Sequence, residues 1–220
     1  MLLNIILAFL IGSIPTGYLL NKYSGHGDIR KVGSGNIGAT NVLRHSGKLL
    51  GLLTLLIDIY KGYLAVLYLA GPYFKTTFYI TTYYWSGIII IGSLVVLGHI
   101  FSPWLKFKGG KGVATMLGVI FFISMSCYEG EIVEKCGHTW LYFKSYIFFI
   151  TIFSWLMITF ITRYVALGSV ISLTVATIYS FFYIPDLFLF FILMTLLITY
   201  KHKDNFERIS NKTEIGRAHV

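Results

Sequence analysis

The sequence is poor in charge and in the residues that enzymes most often use for covalent catalysis. Only 12% of its 220 residues are charged, whereas a soluble domain carries about 25%. The two cysteines, Cys127 and Cys136, match no zinc motif and either pair or remain free thiols. The chain has no G-x-S-x-G elbow, no metal-ligand cluster and no His-x-x-x-x-Asp pair. The sequence therefore offers no obvious nucleophilic residue for covalent catalysis. We expect neither a metal nor a cofactor.

Long apolar runs dominate what is present. Hydrophobic residues make up 56% of the chain, and the mean hydropathy is +0.74. A helix needs about 20 apolar residues to cross the hydrocarbon. Seven segments qualify approximately: 2–21, 49–70, 84–104, 112–128, 144–162, 165–183 and 186–200. The last two are read as a tight Pro-containing hairpin, with one broken unit as the alternative. We therefore predict an all-α, polytopic integral membrane protein with about seven transmembrane helices and no separate soluble domain.

Basic residues are unevenly distributed between the two sides that seven spans define. Fourteen of the eighteen Lys and Arg residues fall on one side and three on the other, with Lys61 inside a span. The positive-inside rule places the first side in the cytoplasm, with the N-terminus outside and the C-terminus inside. This distribution explains the net charge of +9 without a nucleic-acid partner. The N-terminal run lacks a basic n-region, which favours a retained helix over a signal peptide.

Two glycine-rich segments interrupt the apolar runs, and both fall on the predicted cytoplasmic side. The first reads GSGNIGATNVLR from Gly33 to Arg44, and the second reads KFKGGKGVAT from Lys106 to Thr115. Glycine lets backbone N–H groups converge on an anion, and a helix N-terminus adds partial positive charge. The structural alternatives are a flexible connection for the first and a loop that only orients helices for the second. We interpret both as phosphate-binding loops.

The candidate ligands in these loops combine charge with hydroxyl and amide donors. Arg44 and Lys111 supply full positive charges, and a guanidinium can bind phosphate through two N–H groups. Backbone amides near Gly35 and Gly110 are expected to act as preorganised donors. The remaining candidates are Ser34, Asn36, Thr40 and Asn41 in the first loop and Gly109 and Gly112 in the second.

A polar segment near the C-terminus carries a third group of candidates. His202, Asn205 and Arg208 are spaced three apart and share one face of a predicted helix. The alternative is an amphipathic end that lies on the membrane surface. Ser169 follows another cytoplasmic corner, where its hydroxyl either joins the site or packs within its helix.

Ionisable residues also occur inside the predicted spans. Asp58 and Lys61 lie three apart near the middle of the second span, where each charge costs about 3 kcal/mol on insertion scales. We interpret them as an ion pair on one helix face, with a polar cavity as the alternative. His99, near the cytoplasmic end of the third span, either orients the Lys111 loop or forms an interfacial hydrogen bond.

The three polar segments together resemble those of the acyl-phosphate:glycerol-3-phosphate acyltransferase family of bacterial membranes. Segments 34–44, 98–115 and 202–214 resemble the three family motifs in order and spacing, and 162–169 resembles a further family segment. The resemblance implies transfer of an acyl group from acyl phosphate to the 1-hydroxyl of glycerol 3-phosphate, without an acyl-enzyme intermediate. The implied product is lysophosphatidic acid, a phospholipid precursor, and the implied location is the cytoplasmic face of the bacterial plasma membrane.

Motif positions in the family also imply roles for individual residues. The residues implied to be catalytic are Ser34, Arg44, Lys111, His202 and Asn205. The residues implied or expected to bind substrate or phosphate are Gly35, Asn36, Thr40, Asn41, Gly109, Gly110, Gly112, Ser169 and Arg208. His202 serves either as a general base or to orient the substrate.

Two features depart from the family pattern, and a third concerns the chain end. Lys212 stands where the family usually has glycine, at a turn that is easier for glycine in the left-handed conformation. The loop from Tyr128 to Tyr146 is longer and more polar than the usual connection. The final residues 214–220, EIGRAHV, look like a translated sequencing adapter, so we predict a single transmembrane domain over 1–213.

Two other functions fit part of the pattern. An organic-phosphate transporter or exchanger would use the same loops without chemistry and would favour a midplane site that includes Asp58 and Lys61. A lipid-phosphate phosphatase would need a nucleophilic His, Cys or Asp constellation, which the sequence lacks. The sequence indicates neither the oligomeric state nor the acyl-chain preference.

Overall fold

The computed structural model describes residues 2–70, 80–125 and 138–214, and these ranges are predominantly helical. They contain ten α-helices and three short 3₁₀ turns. The helices are α1 (Leu2–Ser13), α2 (Thr16–Tyr23), α3 (Ala39–Ser46), α4 (Lys48–Leu69), α5 (Ile80–Ile100), α6 (Val113–Met125), α7 (His138–Thr162), α8 (Val165–Tyr183), α9 (Phe188–Lys201) and α10 (Lys203–Ser210). The 3₁₀ turns are Ile29–Lys31, Pro103–Leu105 and Pro185–Leu187. The all-α prediction is confirmed for the described part of the chain.

Four helical segments are long and apolar enough to cross a membrane by length and composition. They are Lys48–Leu69, Trp85–Leu105, Ser145–Thr162 and Val165–Tyr183. Two bent pairs raise the number to six if each is one span: α1 with α2, bent by 45°, and Pro185–Lys201 with α10, bent by 52°. The remaining predicted span, 112–128, contains α6, whose described 13 residues extend about 20 Å against about 30 Å of hydrocarbon. The count of seven stays a prediction.

Several predicted boundaries differ from those of the helices. The first span is broken at Ile14 and Pro15, because proline lacks an N–H donor and its ring clashes with the preceding turn. The predicted loop Tyr128–Tyr146 is helical from His138 onward. Residues 126–137, which include both cysteines, lie outside the described residues, as does the end of the predicted span 112–128.

The chain folds as two compact units, Met1–Val119 and Ile120–Val220. In the first unit α1 packs closely on α5 through glycine. A Cβ at Gly12 would lie 2.1 Å from the Val95 carbonyl oxygen, and one at Gly98 would lie 2.2 Å from that of Phe9. Small residues let membrane helices approach at backbone distance, so the two glycines set the separation of α1 and α5.

The second unit contains two successive helix–helix contacts, α7 with α8 and α8 with α9. A Cβ at Gly168 would lie 2.1 Å from the Thr159 hydroxyl, so glycine permits the close approach of α7 and α8. The hydroxyls of Thr177 and Thr195 are 2.9 Å apart and join α8 to α9. A 3₁₀ turn at Pro185–Leu187 connects these two helices. The predicted Pro-containing hairpin is confirmed.

Candidate functional site

Asn41 organises the backbone of the first glycine-rich loop. Its side chain is buried at the start of α3, and its amide nitrogen donates to the carbonyls of Ile29, Val32 and Asn36 at 2.9–3.2 Å. Its amide oxygen accepts from the backbone N–H of Ser34 at 3.1 Å. Asn41 was predicted to bind substrate, but its hydrogen-bonding groups are engaged inside the loop. The structure gives it a positioning role.

Three other polar side chains of the first loop differ from Asn41 because they are not held by hydrogen bonds within the loop. Ser34, Asn36 and Thr40 are partly exposed, and their side chains make no hydrogen bond to the described part of the chain. Thr40 lies in the first turn of α3, whose initial N–H groups precede the first bonds to the Gly38 carbonyl, made by Asn41 and Val42. Arg44, one turn further along α3, is exposed. These side chains form the part of the loop that can receive an anion.

Left-handed glycines shape this loop, and an ion pair secures its start. Gly33 and Gly35 have φ of 56° and 69°, a region that side chains disfavour. The Arg30 guanidinium contacts Asp28 at 2.6 Å and lies over the Tyr18 ring, 4.8 Å from its centroid. Hydrogen bonding from Arg30 lowers the pKa of Asp28 to about 2. Asp28 is therefore charged at neutral pH and holds the 3₁₀ turn that precedes the loop.

The second loop folds back on the end of α5. The N–H groups of Gly109 and Gly110 donate to the carbonyls of Ile100 and His99 at 3.1 and 3.0 Å. A Cβ at Gly109 would lie 2.1 Å from the His99 carbonyl oxygen, so glycine is required by the close approach. Lys111 follows directly, is partly exposed, and precedes α6.

The amides of Gly35 and Gly110 themselves are engaged within the loops, so the donors expected near them stay a prediction for neighbouring groups. The N–H of Gly35 donates to the Val32 carbonyl at 3.0 Å, and that of Gly110 donates to His99. Both amides are consumed by the turns that build the loops. Glycine therefore shapes these loops, and the candidate anion donors are side chains and the first amides of α3.

The structure brings the first and second loops together inside the first unit. Leu105, directly before the second loop, belongs to a buried apolar cluster with Ile29, which precedes the first loop, and with Ile37 and Val42 within it. Residues 102–105, which lead into the second loop, are also tied to the break after α1. Ser102 donates to the Ser13 carbonyl at 2.6 Å, and the Trp104 indole N–H donates to the Ser13 hydroxyl at 2.8 Å.

The sequence did not indicate these hydrogen bonds of Ser13, Ser102 and Trp104. Their signal is weak, because Ser13, Ser102 and Trp104 are isolated polar groups at the ends of apolar runs that are 89–91 residues apart in the chain. Only the fold makes them neighbours. They position the second loop without contributing an anion ligand.

The intramembrane charges form the predicted ion pair. Lys61 Nζ lies 2.8 Å from Asp58 Oδ1, and both side chains are almost fully buried. The same ammonium donates to the Ile14 carbonyl at 3.0 Å and lies 3.0 Å from His99 Nδ1. The cluster therefore joins α4 to α5 and to the break between α1 and α2. Its members partner one another, which favours the ion pair over an open polar cavity.

The third motif lies in the second unit, around the junction of α9 and α10. His202 is buried, and its Nδ1 lies 2.8 Å from the Ile198 carbonyl. A carbonyl can only accept, so Nδ1 carries the proton in the neutral ring and Nε2 is an acceptor. Asn205 is also buried and lies in the first turn of α10. The two side chains therefore offer an acceptor and an amide from one short helix and its cap.

Glu214 closes this motif from beyond the end of α10. Its carboxylate accepts from Asn205 Nδ2 at 3.0 Å and from Arg208 Nε at 3.1 Å. Lys212 in the intervening turn has φ of 57°, so lysine occupies the left-handed conformation expected for glycine. Glu214 is the first residue of the predicted adapter-derived tail, yet its side chain is 1% exposed. Residues 215–220 lie outside the described residues, so the tail stays a prediction.

Ser169 lies elsewhere in the second unit and is committed to helix packing. Its hydroxyl donates to the Val165 carbonyl at 2.9 Å and lies 3.2 Å from the Trp155 indole nitrogen, which donates to it. The side chain is 3% exposed. Of the two roles left open by the sequence, the structure favours packing between α7 and α8 over substrate binding.

Comparison with known proteins gives a consistent assignment. The family model described as Glycerol-3-phosphate acyltransferase matches residues 2–212. The chain belongs to this family. Glycerol-3-phosphate acyltransferases of Pelagibacter ubique, Bartonella henselae and Thermosipho melanesiensis are 39%, 41% and 37% identical to it. These alignments cover 94%, 96% and 96% of this chain and 92%, 90% and 90% of the relatives. The family predicted from the three motifs is confirmed, as is acyltransferase activity.

Solved structures of this family have the same fold. Crystal structures of PlsY (YgiH), described as an integral membrane glycerol 3-phosphate acyltransferase, match in a glycerol 3-phosphate form and a lysophosphatidic acid form. Their TM-scores are 0.79 and 0.75, at 32% and 31% identity. The matches cover 99% and 97% of this chain and 95% and 93% of those chains. The prediction of an all-helical integral membrane protein is therefore confirmed.

Replacing Asn41 with aspartate is expected to destabilise the first loop. Aspartate keeps the acceptor for Ser34 but cannot donate to the three carbonyls that Asn41 holds. The Asn36 carbonyl would lose its donor, and an aspartate oxygen would face the carbonyls of Ile29 and Val32, which keep only their backbone donors; the cost should be about 2 kcal/mol. Thermal unfolding in detergent measures the loss. Asn36→Asp is the matched control, because it adds the same charge to the loop without removing a hydrogen bond. Equal melting temperatures for the two variants would contradict the positioning role.

Replacing Glu214 with alanine is expected to lower acyltransferase activity by about 100-fold, because a displaced binding group can cost that much in rate. Asn205 and Arg208 would lose a shared buried partner. Turnover per folded protein is the measurement. The control is Glu207→Ala, which changes an exposed glutamate on α10 and should retain wild-type turnover. A protein truncated after Thr213 should behave like Glu214→Ala, and unchanged turnover in both would remove Glu214 from the motif.

Proposed function

We propose that this protein transfers an acyl group from an acyl phosphate to the 1-hydroxyl of glycerol 3-phosphate, giving lysophosphatidic acid and inorganic phosphate. The solved relatives are described in forms with glycerol 3-phosphate and with lysophosphatidic acid, an acceptor and its acylated product. The observation that carries the proposal is the first loop, whose backbone is held by Asn41. Around it the side chains of Ser34, Asn36 and Thr40 are partly exposed and make no hydrogen bond to the described part of the chain.

The chemistry requires alignment rather than a protein nucleophile. An acyl phosphate is already activated, so holding its carbonyl against the acceptor hydroxyl supplies much of the rate enhancement. The hydroxyl oxygen attacks the acyl carbon, the bond from that carbon to the phosphate oxygen breaks, and the departing phosphate takes the hydroxyl proton. No acyl-enzyme forms in this scheme, which agrees with the sequence's lack of an obvious nucleophile.

Individual roles follow from charge and position. Lys111 and Arg44 neutralise phosphate charge, while Ser34, Asn36 and Thr40 donate to phosphate oxygens. His202 and Asn205 position glycerol 3-phosphate, with Arg208 adding positive charge on the same helix. Gly35, Gly109, Gly110 and Gly112 give the loops their shape rather than donating to substrate. His202 presents Nε2 as an acceptor, which suits orientation of a substrate hydroxyl.

We also propose seven spans in a bacterial plasma membrane, with the N-terminus outside and all three motifs at the cytoplasmic face. The support is the unequal distribution of fourteen basic residues against three. Single cysteines introduced at Lys48, Lys108 and Lys203 should be labelled by an impermeant thiol reagent only after the inner face is exposed. Labelling of any of them from outside intact cells would overturn this orientation.

Acyl transfer is distinguished from its rivals by one assay. Purified protein is incubated with a long-chain acyl phosphate and labelled glycerol 3-phosphate. Labelled lysophosphatidic acid supports transfer, whereas free glycerol supports a phosphatase and vesicle uptake alone supports an exchanger. The feature that favoured an exchanger, the Asp58–Lys61 pair, has a structural role in joining three helical segments. No observation in the described residues favours either rival.

Replacing Lys111 with alanine is expected to lower kcat/KM by about 10²–10³-fold, the usual loss when one preorganised charge-stabilising donor is removed. The rate of lysophosphatidic acid formation per folded protein is the measurement. Lys108→Ala is the matched control, because Lys108 is exposed in the same loop and removes the same charge. Near-normal turnover of folded Lys111→Ala protein would refute the assignment.

A further inference from the structure

The ammonium group of Lys61 is satisfied by three different parts of the first unit. It has three N–H donors. They face Asp58 Oδ1 at 2.8 Å, the Ile14 carbonyl at 3.0 Å and His99 Nδ1 at 3.0 Å. Asp58 meets the ammonium as an ion pair, since its Oδ1 lies outside hydrogen-bond geometry. Burying a charge inside a membrane span is costly, so such a residue is usually kept because it pairs with neighbouring groups or serves the protein's function.

The contact with Lys61 fixes the state of the His99 ring. An ammonium can only donate, so Nδ1 of His99 is the acceptor and Nε2 carries the proton in the neutral ring. His99 is 5% exposed and its Nδ1 also lies 3.7 Å from Asp58 Oδ1. The ring is therefore held on one edge by the charged pair. The same contact determines that the nitrogen on the other edge, Nε2, carries the proton.

The second edge of the ring lies against the second glycine-rich loop. A Cβ on Gly110 would lie 2.1 Å from His99 Nε2 and 2.9 Å from Cε1. The N–H of Gly110 also donates to the His99 backbone carbonyl at 3.0 Å. His99 thus touches Gly110 through both its ring and its main chain. Lys111 is the next residue, so a shift of Gly110 is passed directly to its side chain.

We propose that Lys61 and His99 are positioning residues for Lys111. The buried ammonium fixes the imidazole, the imidazole edge holds Gly110, and Gly110 sets the start of the Lys111 side chain. The inference rests on the proposed function, because it assigns these residues an effect on acyl transfer through the second loop. Neither Lys61 nor His99 contacts substrate in this scheme.

A double-variant cycle between His99 and Gly110 tests the proposal. His99→Asn keeps an acceptor near Nδ1 but removes the edge at Gly110. Gly110→Ala adds the methyl group that meets that edge. Each single variant should lower kcat/KM by about 10-fold or more, because the loop is displaced. The double variant should lose no more than the worse single variant, because the shorter side chain makes room for the added methyl group.

The kinetic pattern separates positioning from a purely structural role. His99→Asn should change the same parameter, kcat or a KM, that Lys111→Ala changes, at a melting temperature close to wild type. Fold-changes that multiply in the double variant would overturn the proposal, as would wild-type kcat/KM in His99→Asn. Thr54→Val is the control: Thr54 is buried on α4 one turn before Asp58, and its hydroxyl bonds only to its own helix.

A second pair of changes covers the case in which His99→Asn does not fold. Asp58→Asn combined with Lys61→Met removes both charges together and leaves no lone buried ion. The proposal expects this protein to show the kinetic change of Lys111→Ala in weaker form, and unchanged kinetics would overturn it. The assay of wild-type protein distinguishes failure of the proposed function from failure of this inference. If wild-type protein forms no lysophosphatidic acid, the proposed function fails; if it does and the cycle is multiplicative, only this inference fails.

Discussion

One buried cation connects the parts of the first unit that matter for its loops. Lys61 binds a carboxylate on its own helix, an imidazole on α5 and the carbonyl exposed where Pro15 interrupts the first span. The break leaves the Ile14 carbonyl outside a regular helix, where it accepts from the Thr16 N–H at 3.0 Å and from the Lys61 ammonium at 3.0 Å. The lysine therefore ties the break in the first span to α4 and α5.

The two glycine-rich loops divide their polar groups between building and binding. Asn41 and the amides of Gly35, Gly109 and Gly110 are consumed inside the loops. What remains for a ligand is a small set of side chains carried by a backbone that is already fixed. Preorganised donors need little rearrangement on binding a ligand. This arrangement suits an enzyme that aligns an activated donor.

The third motif uses the same device in the second unit. A carboxylate from beyond α10, Glu214, holds Asn205 and Arg208, while a helix carbonyl holds one nitrogen of His202. In the first and third motifs a buried polar side chain with several partners fixes the positions of its neighbours. Membrane enzymes need such internal partners, because an unsatisfied polar group is costly near the hydrocarbon.

The sequence by itself determined the helical membrane class, the family and the location of its three motifs. Apolar run length and ordered motif spacing are properties of the chain alone, and the Asp58–Lys61 pair follows from helix periodicity. Only the tertiary contacts show that Asn41 holds the backbone of the first loop and that the Gly110 amide donates within the second loop. Those depend on which carbonyl lies within 3 Å, as the His99 carbonyl does for Gly110. No residue pattern encodes that distance, because it arises when α5 and the second loop pack against each other.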